Sequence, residues 1–258
     1  MADFGTGFSF YRKTLRRRLG TWLTSMGLVI ERTAKSESFD ALMQRRLNVT
    51  KRDGQGFFFV QIGANDGVSH DPIHGFVTAN RLSGIVVEPL PDVFQKLQQT
   101  YQNHSQISAL NLAVHSELDQ VTLYRPNPET AGALSGIASF SADRHELTSK
   151  RSGLTADDMV AVEVPAKSLM AILEGAQVPH LDLLQIDTEG YDFEILASLD
   201  LERYQPSIIR FEHGVYSGVD ARPELRDALT RLYDHGYSIA MERVDAMAWR
   251  HADISKRK

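Results

Sequence analysis

Apolar positions come in two rhythms along this chain. From residue 57 onward, short unbroken apolar runs alternate with stretches whose apolar residues recur every three or four positions. The runs are "FFFVQI" at 57–62, "GIVVEP" at 84–89, "ISALNLAV" at 107–114, "LDLLQID" at 181–187 and "SIIRFEH" at 207–213. Runs of this kind predict strands buried on both faces, as in a parallel sheet. Helices are predicted between them, at about 71–81, 91–103, 166–174, 189–199 and 222–235. "YSIAMERV" at 237–244 predicts a late strand. The alternation implies an α/β fold, an open sheet with helices on both faces.

Two regions depart from that rhythm. Residues 120–164 read as one short strand followed by a turn-rich excursion, an inserted loop placed over the sheet edge where open α/β sheets bind ligands. Residues 1–50 carry Tyr11, Leu15, Leu19, Trp22, Leu23 and Met26 at helical spacing, with Arg12, Lys13, Arg16, Arg17 and Arg18 beside them. This is a basic amphipathic helix. It reads as a lid, a homodimer contact, or a peripheral membrane contact through residues 8–30. The domain reading is therefore an N-terminal helical extension over 1–50 and one main domain over 51–258.

Composition narrows the function. The chain has 258 residues, enough for one sizeable core. Its net charge of −5 argues against a nucleic-acid partner. With no cysteine, disulfides and thiolate metal sites are excluded and a reducing, cytoplasmic setting is natural. No run of 18 apolar residues is present.

The chemistry concentrates at strand ends. "VQIGANDG" ends the first strand, with Gly63 and Gly67 bracketing Ala64, Asn65 and Asp66. A dinucleotide fingerprint would carry a middle glycine, whose absence counts against NAD or FAD. The loop still permits a tight turn and close backbone approach, which suits the amino-acid end of S-adenosylmethionine. Gln61 precedes the loop. Glu88 ends the second strand, 21 residues beyond Gly67, followed by Pro89. A carboxylate there can accept both ribose hydroxyls. Ala113 and Val114, ending the third strand, can pack on an adenine, with Asn111, His115 or Ser116 at its edge.

Asp187 ends the fourth strand; Glu212 and His213 end the fifth. Together they suit either a general base at His213 or Asp187, or a divalent cation held by Asp187, Glu212 and His213. Two acids and an imidazole match Mn²⁺, Fe²⁺ or Zn²⁺ better than Mg²⁺. Glu189 either caps the helix that follows or contacts cofactor or acceptor, and Thr188 suits the cap itself.

"FVQIGANDG", "GIVVEPLPDVFQKL", "NLAVHS", "LSGIASF" and "LLQIDTEGYDFEIL" followed by "PSIIRFEHG" resemble the FkbM family of S-adenosylmethionine-dependent methyltransferases, over about residues 57–215. The resemblance implies a class I methyltransferase fold of seven mostly parallel strands, the last antiparallel. It implies methyl transfer to oxygen, with a small-molecule or glycan acceptor such as a sugar, glycolipid or other natural product. Family members commonly carry Lys where this chain has Gln185, and Ala-Glu where it has Tyr191-Asp192. The alternatives are an N- or carboxyl-methyltransferase and a non-catalytic S-adenosylmethionine-binding module.

Overall fold

In the computed structural model, the described residues are 38–131, 136–140, 158–214, 223–242 and 244–254. The amphipathic segment at 8–30 lies outside them, and so do parts of the 120–164 insertion.

The chain enters through α1 (Phe39–Asp53), whose first turn is capped by the Ser38 hydroxyl accepting from the Ala41 amide. Then follow β1 (Phe58–Ile62), α2 (His74–Asn80), β2 (Ser83–Val87), α3 (Pro91–Tyr101) and β3 (Ile107–Leu110). Next come β4 (Ala113–Val114), β5 (Gln120–Pro126), α4 (Pro128–Ala131), β6 (Met159–Lys167) and α5 (Leu169–Gly175). The chain ends with β7 (Leu183–Ile186), α6 (Asp192–Ser198), β8 (Ile208–Glu212), α7 (Pro223–Asp234), β9 (Ser238–Met241), β10 (Asp245–Trp249) and α8 (His251–Ile254).

Seven strands form the main sheet in the order β3-β2-β1-β7-β8-β10-β9. The first five are mutually parallel, and β10 runs antiparallel to both β8 and β9. This is the class I methyltransferase arrangement. The chain builds outward from β1 through β2 to β3, then restarts on the other side of β1 with β7. That reversal opens a crevice at the carboxyl ends of β1 and β7, the usual ligand position in such sheets.

Side-chain alternation sorts the core into two layers. Val60, Ile62, Val87, Leu184, Ile186 and Phe211 face α5, α6 and α7 through Leu169, Leu173, Phe193, Leu196, Leu225 and Leu229. Phe57, Phe59, Val86, Leu183 and Ile208 face the other way, onto Leu42, Met43 and Leu47 of α1, Val77 of α2 and Leu97 of α3. The stretch 39–50, expected as part of the extension, thus packs on the sheet.

The edges differ from the sequence expectation. The run 107–114 is two strands: Asn111 and Leu112 break it, and Ala113–Val114 leave the main sheet to pair with β6. The insertion holds more structure than a loop. Val160, Val162 and Val164 alternate with small or polar residues, and β6 pairs antiparallel with β5 from Gln120↔Pro165 to Pro126↔Met159. The result is a small sheet, β4-β6-β5, beside the crevice. The expected late strand is β9, and β10, for which the apolar pattern gave no separate strand, is the antiparallel member inserted between β8 and β9. Among the described residues no helix is long and apolar enough to cross a membrane.

Candidate active site

The crevice begins where β1 stops. Gly63 takes φ +76°, and its amide donates to the Val87 carbonyl at 3.0 Å. A Cβ there would lie 1.7 Å from the Asp187 carbonyl oxygen, so the ends of β1 and β7 meet only because residue 63 has no side chain. Asn65, at φ +50°, turns the loop back and donates its amide to Glu88 Oε2 at 3.0 Å. Asp66 closes the turn: its carboxylate accepts from the amides of Val68 (2.9 Å) and Ser69 (2.6 Å) and from the Ser69 hydroxyl (2.7 Å). Gly67 packs its backbone against Leu97 and Tyr101.

Glu88 lies beneath this loop and is 4% exposed. Its Oε1 accepts from the Leu90 amide at 2.9 Å while Oε2 takes the Asn65 amide. Burial pushes its pKa up to about 7, opposed by the two amides and by the Arg125 guanidinium. Asn111 donates Nδ2 to the carbonyls of both Glu88 and Pro89 at 2.9 Å, which fixes the segment from behind.

Of the residues expected to hold cofactor, Gly63, Asn65, Glu88, Pro89, Ala113 and Val114 line the crevice. Ala64, Asp66 and Gly67 do not; they shape the loop. Gln61 does not either. It points to the opposite face of the sheet, buried beside Asp71, because residues 60 and 62 of the same strand take the crevice side. Gln185 sits next to it in register, on that same far face. Leu112, Leu123 and the segment Gly136–Phe140 complete the wall, and only the last part of "LSGIASF" is among the described residues.

The other half of the crevice is the turn after β7. Asp187, Thr188 and Glu189 line it. Glu189 adopts φ +53°, a left-handed conformation unusual for a residue with a side chain, and Gly190 follows at φ +116°. The turn is organised by Asp192. Its Oδ2 accepts from the Thr188 hydroxyl (2.7 Å) and from the amides of Thr188 and Gly190 (both 3.3 Å), and its Oδ1 accepts from the Glu212 amide (3.1 Å). The expected cap is thereby reversed. Thr188 donates to the first residue of α6 and does not cap the helix.

Asp187 is open to water in the crevice and enclosed by protein on its other sides. That enclosure, reinforced by the nearby charges of Glu189, Asp192 and Asp245, pushes its pKa up to about 7 against the pull of Arg210. Water in the open crevice works against the rise, so the rise is fullest when the crevice is occupied.

His213 and Glu212 do not join Asp187. His213 is buried, with Nε2 3.3 Å from the Glu242 carbonyl oxygen, and its amide donates to the Val244 carbonyl. Neither residue lines the crevice. Among the described residues, no three His, Asp or Glu side chains converge in a way that could hold a metal ion. The expected cation tripod of Asp187, Glu212 and His213 is therefore not formed. Strand-end position brings the three residues to one end of the sheet, but they do not form a metal-holding group there.

Sequence reasoning missed the hub role of Asp192 and the strut between Arg125 and Asp92 (2.5 and 3.1 Å). An acid directly before the apolar helical run of Phe193, Ile195 and Leu196 was the available signal for Asp192. For Arg125 there was none, since the pair is 33 residues apart in sequence.

The methyltransferase FkbM domain model matches residues 61–239. No curated protein matches the sequence significantly. Among solved structures, the N-terminal domain of human METTL16 is 13% identical, over 92% of this chain and 80% of that one, with a TM-score of 0.42. Precorrin-6y C5,15-methyltransferase from Geobacter metallireducens is 14% identical over 85% and 93%, with a TM-score of 0.37. Aeropyrum pernix fibrillarin, with natively bound S-adenosyl-L-methionine, is 13% identical over 81% and 75%, with a TM-score of 0.39.

Proposed function

Since this chain belongs to the FkbM family of S-adenosylmethionine-dependent methyltransferases, we propose that it methylates a hydroxyl oxygen of a sugar, glycolipid or other natural product. The observation that carries this reading is the position of Asp187, a carboxyl at the end of β7 that lines the same crevice as Glu88 and the Gly63–Asn65 turn.

The crevice fits the family's donor. Glu88 presents a buried carboxylate whose oxygens each keep a lone pair beyond the amide bonds they accept, which suits a ribose diol. Leu112, Ala113 and Val114 offer an apolar wall for adenine. The Gly63–Asn65 backbone, which the missing side chain at residue 63 lets lie against the end of β7, would hold the amino-acid end. When bound, S-adenosylmethionine supplies a methyl group already activated on a sulfonium.

The chain must then supply alignment, exclusion of water and a destination for one proton. An aliphatic hydroxyl attacks poorly until that proton leaves, and a positioned base contributes about 10²–10⁴-fold. Asp187 suits the task, because a carboxyl near pKa 7 accepts a proton far better than an ordinary aspartate. In this scheme the acceptor oxygen gains the methyl group as its proton passes to the Asp187 carboxylate. Glu189, on its left-handed turn, can orient a neighbouring acceptor hydroxyl.

The paired acids weigh against a carboxylate acceptor, which Asp187 and Glu189 would repel. The test is methyl transfer from labelled donor across sugar nucleotides, glycolipid headgroups and secondary metabolites, with wild type and Asp187→Asn. Transfer to oxygen that Asp187→Asn abolishes supports the reading. Product methylated on nitrogen or carboxyl, or full activity in Asp187→Asn, overturns it.

A further inference from the structure

A second hollow opens where the small sheet meets the crevice. It measures about 430 Å³ and is lined by His115, Leu118, Gln120, Thr122, Phe140 and Glu163. That size falls within the range of about 300–1,000 Å³ typical of small-molecule sites. Phe140 lines both the hollow and the crevice, so the two adjoin. The Phe140 ring lies 4.5 Å from that of Tyr191, which itself stacks on His115 at 5.1 Å and 13° from parallel. Ser139 Oγ donates to the Glu189 carbonyl at 3.1 Å. The segment that carries Phe140 is thereby fastened to the turn that carries Asp187 and Glu189.

The lining mixes apolar surface with neutral polar groups. Leu118 is a large apolar side chain left 52% exposed, and Phe140 offers a ring at the inner end. Around them stand the Gln120 amide, the Thr122 hydroxyl, the Glu163 carboxylate and the His115 imidazole. His115 Nδ1 accepts from the amides of Glu117 and Leu118 at 3.2 and 3.0 Å. That network assigns the ring proton to Nε2 and leaves this nitrogen a donor. The β5 backbone contributes too. Tyr124 exchanges both of its backbone bonds with Ser139, at 2.8 and 3.0 Å. The amide and carbonyl of Thr122, two residues earlier, therefore face the same edge, and no described residue bonds them.

A sugar ring has C–H groups on its faces and hydroxyls at its rim, each able to donate and to accept. A lining of this mixed kind serves both. Charge narrows the class further. Among the described residues Glu163 is the one acid lining the hollow, and no Lys or Arg lines either the hollow or the crevice. Phosphate, diphosphate or carboxylate groups would meet only like charge there, from Glu163 outside and from Asp187 and Glu189 within.

We propose that this hollow is an acceptor subsite, which holds a neutral sugar ring next to the one that is methylated. The substrate class is then a neutral oligosaccharide, and sugar nucleotides and phosphorylated sugars are refused. The proposal rests on the methyltransferase reading. It makes Gln120, Thr122 and Glu163 specificity residues outside the donor crevice.

The test uses the full chain saturated with S-adenosylhomocysteine, whose binding is first measured by calorimetry. Labelled protein is applied to a printed array of neutral mono-, di- and trisaccharides, phosphorylated and sialylated glycans, and peptides. Neutral di- or trisaccharides should retain the protein about tenfold better than the monosaccharides that compose them, as a few added hydrogen bonds allow. The best neutral glycan is then titrated into wild type, Gln120→Ala and Glu163→Gln. Each variant changes one exposed partner, so glycan affinity should fall about two- to tenfold, with S-adenosylhomocysteine affinity and melting temperature unchanged. Equal retention of monosaccharides and longer neutral glycans overturns the subsite. So does a preference for anionic glycans or for peptides, an array that retains no protein, or undiminished glycan binding in either variant. Wild type that binds no S-adenosylhomocysteine overturns the methyltransferase reading instead, a result seen before any glycan is added.

Discussion

The ends of β1 and β2 and the ends of β7 and β8 face one crevice, yet they are held together by different means. On the β1–β2 side the partners are backbone groups. Gly63 and Ala64 amides donate to the Val87 carbonyl, and Asn65 and Leu90 amides donate to Glu88. On the β7–β8 side a single buried side chain, Asp192, gathers Thr188, Gly190 and Glu212. The backbone crossing at Gly63 tolerates no added bulk at its glycine, while the loop above it leans on the Glu88 and Asp66 carboxylates. A side-chain hub fails when its own charge is removed. The two halves should therefore respond differently to mutation, and each substitution below either widens or collapses that contrast.

The largest effect is expected at Gly63→Ala. The added Cβ must displace the Asp187 carbonyl and the residue must keep a left-handed φ. A cost of about 3 kcal/mol or more follows, or a melting temperature lower by roughly 6–12 °C for a domain of this size. Thermal melting checks it, and an unchanged melting point would mean the strand ends are not locked together.

Asp187→Asn comes next. Turnover should fall by about 10²–10⁴, with S-adenosylhomocysteine affinity preserved. In wild type saturated with donor, activity should rise with pH through about 7, because the base must be deprotonated and burial raises its pKa. The ionisation seen in kcat should lie above that seen in kcat/KM for the acceptor, since water reaches Asp187 only in the open crevice. A profile flat through that range would remove Asp187 from the reaction.

Asp192→Asn should be milder. An amide in place of the hub carboxylate turns an N–H toward donors it cannot accept from, costing about 1–3 kcal/mol of stability. Kinetics should show lower turnover at little changed donor affinity, whereas equal loss of both would place the hub under the whole crevice. The smallest effect belongs to His213→Asn. Its ring faces the Glu242 carbonyl, so turnover should change by less than about tenfold, below what loss of a general base brings. Exhaustive chelation should leave turnover unchanged, because the side chains expected to form a tripod do not converge.

Legibility in the sequence follows the same division. The parallel sheet and the glycine turn after β1 could be read because they are written in runs and glycines, features that act through backbone geometry, while the seven-strand arrangement came from the family resemblance. Glu88 could be read because a strand end fixes its position, and no further information was needed to place it on the crevice wall. Gln61 could not, since a one-residue step along a strand sends a side chain to the other face. The β7–β8 half was read correctly to the level of strand ends and no further. The surroundings of His213 are set by the Glu242 and Val244 carbonyls between β9 and β10, and β10 is a strand the apolar pattern did not separate. Asp192 stood out only as part of a departure from the family pattern, and its four bonds arise only once the turn has folded. The Arg125–Asp92 strut joins the small sheet to the start of α3, and local sequence carries no trace of it.

The central claim is that the crevice divides into a donor half centred on Glu88 and a transfer half centred on Asp187. S-adenosylhomocysteine titrated into wild type, Glu88→Ala and Asp187→Asn at one pH tests it most directly. Losing a bidentate charged hydrogen-bond acceptor costs about 1.5–3 kcal/mol, so Glu88→Ala should bind about ten- to a hundredfold more weakly. Asp187→Asn should bind as wild type does. Undiminished affinity in Glu88→Ala, or an equal loss in both variants, would contradict the division.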